Sequence, residues 1–64
     1  MFSDCEILEG LRRSIEDCCQ ADILSWIEEI NANVETKLKM FDLAINGKYA
    51  ELYQLAKEVL NCVD

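Results

Sequence analysis

Sixty-four residues make one small domain, and an apolar content of 52% is more than so short a chain readily hides by itself. Thirteen acids, six bases and no histidine leave a net charge of −7. That balance disfavours direct binding to nucleic acid or to an anionic membrane, both of which need clustered Lys and Arg. The missing histidine removes the usual general base, the usual metal ligand and every Ser-His or Cys-His pair, so an enzyme is not expected.

The chain opens with Ser3 and Glu6 in capping-box spacing just before Ile7 and Leu8, which predicts a helix from Asp4 to about residue 19. Gly10 lies inside it and costs roughly 1 kcal/mol relative to alanine. Arg12 and Arg13, three and four residues after Glu9, offset part of that cost. From Gly10 to Gly47 there is neither glycine nor proline, and apolar residues recur every three or four positions, as only a helix face requires.

The first stripe, Ile7, Leu8, Leu11, Ile15 and Cys18, differs in direction by roughly 100° from a later one. The later stripe is Ile23, Ile27, Ile30, Val34, Leu38, Phe41 and Ile45. A bend at Gln20-Ala21-Asp22, with Asp22 as N-cap, absorbs that rotation and starts a second helix over about 22–46. A slow drift along one unbroken helix would absorb it too, but such a helix would be about 60 Å long and would need a second chain to cover it. Asn46-Gly47 then ends the run, because glycine suits the left-handed residue beyond a helix. A third helix over about 49–62 carries Tyr49, Leu52, Tyr53, Ala56, Leu60 and Val63 on one face and folds back on the second. The expected fold is all-α, a short three-helix bundle or helical hairpin in one domain spanning 1–64, associated with another chain.

Cys18 and Cys19 diverge by about 100° on a helix and cannot bridge each other, and Cys5 lies roughly 20 Å from them along the same helix. Cys62 can meet another cysteine only through tertiary packing. Residues 1–20 lack a basic start followed by an apolar run, and no segment approaches membrane-spanning length. The expectation is therefore of free thiols in a reducing, cytoplasmic setting, with Cys19 the exposed and reactive one. The spacing 5, 18, 19, 62 contains no zinc knuckle, and no metal or cofactor is expected. Glu16-Asp17 and Glu28-Glu29 point apart on a helix and make no catalytic dyad.

The aromatic residues Trp26, Phe41, Tyr49 and Tyr53 lie on the apolar stripes, either as core or as anchors for a partner. Leu24, Met40 and Leu43 fall off the main stripe, so more than one face is expected to be covered. Together these seven residues form the expected interface. If fully buried, Trp26→Ala and Phe41→Ala should be the most damaging changes, at roughly 3–5 kcal/mol.

The function these features predict is a non-enzymatic helical interaction module, such as an adaptor, small co-chaperone or inhibitor, binding a protein partner or itself. The alternative is an acidic decoy that imitates nucleic acid and blocks a basic site. Glu28, Glu35 and Asp42, spaced seven apart and interrupted by Lys39, would supply its row of carboxylates. The segment from about 30 to 60, with its long helix, Gly47 turn, and Tyr49, Tyr53 and Ala56 on a return helix, resembles the small needle co-chaperones of type III secretion, the YscE type. The resemblance covers about half the chain. It implies a helical hairpin that pairs with a tetratricopeptide-like chaperone in the cytoplasm.

Overall fold

A computed structural model describes residues 2–62. It contains four helices: α1 (Asp4–Glu16), α2 (Gln20–Glu29), α3 (Val34–Ile45) and α4 (Tyr49–Val59). The all-helical class is as the periodicity requires, but the predicted second helix is two helices, and the three-helix count is corrected to four.

The start of α1 is the expected capping box. Ser3 Oγ accepts from the Glu6 amide at 3.2 Å, and the Glu6 carboxylate accepts from the Ser3 amide at 3.4 Å. Its end falls at residues 17–19, a little before the expected bend. The Cys18 amide donates to Ile15 O and the Cys19 amide to Ser14 O, a Schellman turn with Cys18 at φ +54°. Cys19, not Asp22, is the N-cap of α2. The same turn closes α3, where the Gly47 and Lys48 amides donate to Ala44 O and Leu43 O, with Gly47 at φ +73°.

The unexpected break lies at residues 30–33. Ile30 leaves α2 in extended conformation, and Asn33 starts α3 by accepting from the Thr36 amide through its side chain at 2.8 Å. Across this break α2 and α3 run antiparallel and cap each other. Gln20 Nε2 donates to Ala44 O at 3.2 Å, and Lys37 Nζ donates to Glu28 O at 3.0 Å. The Lys37 bond satisfies a carbonyl that the end of α2 leaves without a helical partner, and the Gln20 bond adds a second donor to Ala44 O beside the Gly47 amide.

Each helix packs on its neighbours in sequence, and α4 closes the ring against α1. Leu11, Ile23, Ile27, Ile30, Met40 and Leu52 are the largest fully buried side chains. Ala44 and Ala56, also fully buried, keep α3 and α4 thin where they meet the core. Ser14 is buried but donates to Gly10 O at 2.9 Å, so it carries no unmet bond.

Cys5 and Cys62 form a disulfide with Cα atoms 4.9 Å apart, which corrects the expectation of free thiols throughout. The extra reversal at 30–33 is the physical reason. It makes the number of helices even and returns the end of α4 to the start of α1. Asp4 Oδ2 accepts from the Asn61 amide at 2.9 Å beside the bridge. Val63, expected on the inner face of the last helix, lies outside the described residues.

Candidate functional site

The break at 30–33 decides which side of α3 faces the core. Met40 and Ala44 point inward. At 100° per residue, Val34, Leu38, Phe41 and Ile45 then share a different side, roughly 120° around the helix. Val34 is 72% exposed, Leu38 61% and Ile45 65%, with Phe41 half-buried between them. Three of the four large exposed hydrophobics of the described residues therefore sit on one face of one helix. Isolated exposed apolars are ordinary, whereas three aligned on one helix face make a contiguous apolar patch of the kind that interaction surfaces carry.

The rims of this row carry charge. Glu35 and Asp42 lie along one edge and Lys37 along the other, next to α2. Lys37 is held in place by its bond to Glu28 O, which uses one of its three donors. The ion pairs among the described residues all belong to α1, where Arg12 bridges Glu9 at 2.6 Å and Glu16 at 2.7 Å and Arg13 reaches Glu9 at 3.4 Å. Lys37, Asp42 and Glu35 are thus uncompensated by any ion pair within the described chain.

The residues expected at an interface do not form one surface. Met40 is fully buried in the chain's own core. Trp26 is half-buried on the other side of the molecule, lying over the Gly10 backbone with the Phe2 ring edge-on at 5.0 Å. Leu43 is half-buried in a shallow groove of about 360 Å³ between α3 and α4, opposite Leu55 and between Lys39 and Glu58. Leu24, Tyr49 and Tyr53 are half-buried, and Lys57 Nζ stands 5.8 Å from the Tyr53 ring centre. Of the seven, only Phe41 belongs to the outward row. Val34, Leu38 and Ile45 continue the spacing of Ile23, Ile27 and Ile30, so periodicity alone puts all six on one stripe, and the break at 30–33 is what turns the last three outward.

The half-burial of Trp26 and Phe41 also removes the premise on which they were to be the most damaging truncations. Leu11, Ile27 and Leu52 occupy the positions where that premise holds. The carboxylate row is broken as well, since Glu28 stands on α2 while Glu35 and Asp42 stand on α3. Of the two free thiols, Cys18 is the exposed one and Cys19 the half-buried one, the reverse of the expected order.

In class this is a small four-helix domain clasped by a disulfide, with one apolar helix face turned outward. No protein-family model, curated protein or solved structure matches the chain.

Proposed function

We propose that this chain is a non-enzymatic helical interaction module that works by covering the outer face of α3. The observation that carries the reading is the row Val34, Leu38 and Ile45, exposed on a helix whose opposite side already completes the core. Burying apolar surface of this kind drives association without any chemistry of its own. The α3–Gly47–α4 hairpin is the segment that resembles the needle co-chaperones. Its inner face is filled here by α1 and α2 of the same chain. A partner therefore meets the outer face.

The Cys5–Cys62 bridge supports an oxidising setting for the module, because such a bond persists there and is reduced in the cytosol. Among the described residues no helix is long and apolar enough to cross a membrane.

The test compares the chain with a variant carrying Val34→Thr, Leu38→Gln and Ile45→Gln. In extracts of its source cells the wild-type chain should elute in an assembly larger than one copy. The variant should elute as one copy with an unchanged circular dichroism spectrum. A wild-type chain that elutes as a single copy in extract and also stays a single copy when purified at about 500 µM would refute the reading.

A further inference from the structure

We infer that the outer face of α3 is occupied by α3 of a second copy of this chain, lying parallel to it about a two-fold axis. The inference deepens the reading above and rests on it.

The spacing of the exposed row is 4, 3, 4, from Val34 to Leu38 to Phe41 to Ile45. That is the seam of a two-heptad coiled coil, with Val34 and Phe41 at d positions and Leu38 and Ile45 at a positions. Glu35 and Asp42 then fall at e positions, and Lys37 and Ala44 at g positions. These flanking residues set partner and direction in coiled coils.

In a parallel pair, a g residue faces the e residue five positions further along the other helix. Lys37 therefore meets Asp42 of the second copy, and symmetry makes the pair twice. In an antiparallel pair, e faces e, which sets Glu35 against Asp42 twice, while Lys37 meets only Ala44. The charges thus favour a second copy and select one direction. Neither partner of the attractive pair is in an ion pair within the described chain; Lys37 is already fixed at the rim by Glu28 O, and Asp42 Oδ1 accepts from Asn46 Nδ2 at 3.2 Å, which leaves its charge uncompensated. Identical residues stack across the axis, with Leu38 on Leu38 and Phe41 on Phe41. Two heptads bury less than the standard 1,200–2,000 Å² interface, so a dissociation constant of about 10–100 µM is expected.

The test is sedimentation equilibrium on the purified, oxidised chain. Wild type should dimerise in that range, and Leu38→Glu should be a monomer with unchanged helix content. Lys37→Glu alone and Asp42→Lys alone should each loosen the dimer about tenfold, since each turns two attractive pairs into two repulsive ones. Mixing the two variants in equal amounts should restore affinity to within about threefold of wild type, because both cross-pairs are then attractive. This arm is insensitive to any loss of the Lys37–Glu28 bond within one copy.

Tighter association of Asp42→Lys than wild type would mean antiparallel pairing and would overturn the proposal. A wild-type single-copy mass at about 500 µM, well above the expected range, would overturn it too. If that monomer still enters a larger assembly in extract through the α3 row, self-pairing fails and the interaction reading stands. If it does not, both fail.

Discussion

Gly10→Ala is a substitution that helix propensity and packing drive in opposite directions. In an isolated helix the change gains about 1 kcal/mol, because glycine loses more backbone freedom than alanine on folding. Here the Trp26 indole lies directly on the Gly10 backbone. An added Cβ would stand 2.8 Å from Cη2 and closer still to Cζ2 and Cε2. Comfortable carbon contacts are about 3.5–4.0 Å, so the ring must move by about 1 Å or more. Overpacking of this kind costs about 1–3 kcal/mol, and withdrawing the ring also disturbs its edge-on contact with Phe2. Packing wins, and Gly10→Ala should destabilise the wild-type chain by about 1–2 kcal/mol net. In a Trp26→Ala background there is no ring to displace, and the same change should stabilise by about 1 kcal/mol. The double-mutant cycle then gives a coupling of about 2–3 kcal/mol. Urea unfolding followed by circular dichroism at 222 nm measures all four forms without relying on tryptophan fluorescence. If Gly10→Ala stabilises both backgrounds equally, the indole does not press on α1 and the account of this contact is wrong.

Four further outcomes follow from the same structure. The Cys5–Cys62 bridge spans 57 residues of sequence, so replacing both cysteines by serine should cost about 4 kcal/mol on the chain-entropy model, read as a fall in denaturation midpoint that reductant reproduces in wild type. Cys18→Gly should raise stability by about 0.5–1 kcal/mol, since glycine takes the left-handed backbone at that Schellman position without strain, whereas Gly47→Ala should lower it by about 1 kcal/mol. On one helix, Met40→Ala should cost about 2–5 kcal/mol and Leu38→Gln less than about 0.5 kcal/mol in dilute monomer, because only the first opens a cavity. The Arg12 guanidinium, hydrogen-bonded to Glu9, holds that carboxyl below its ordinary range. Its stabilising effect should therefore be present above the usual carboxylate range and be lost as pH falls through the lowered value. In an NMR titration, Arg12→Ala should move the Glu9 midpoint up.

How far the sequence speaks can be judged at particular residues. Ser3 and Glu6 announce the start of α1, and Asn46-Gly47 announces the end of α3, because each needs only its immediate neighbours to act. The break at 30–33 has a local sign too, in Asn33, a residue type whose side chain caps helix starts. It was hidden because Ile30 and Val34 are spaced by four, as they would be on a continuous helix. Periodicity counts residues and does not register a change of axis. That one omission carried two others with it. It joins Val34, Leu38 and Ile45 to the stripe of Ile23 and Ile27, and it leaves three helices, which would hold Cys5 and Cys62 at opposite ends. Gly10 was legible only as a cost, since its use depends on Trp26 arriving from another helix. The expected interface joins the aromatic residues on the stripes with Leu24, Met40 and Leu43 off them, and burial sorts that set differently once the phase of α3 is known.

The position of the bridge also fixes how the molecule would respond to being pulled. Tension applied at residues 5 and 62 passes from one sulfur to the other and leaves α1 to α4 unloaded. Held by its ends, the domain would act as an inextensible link, and only reduction of that bond would let the helices be drawn out.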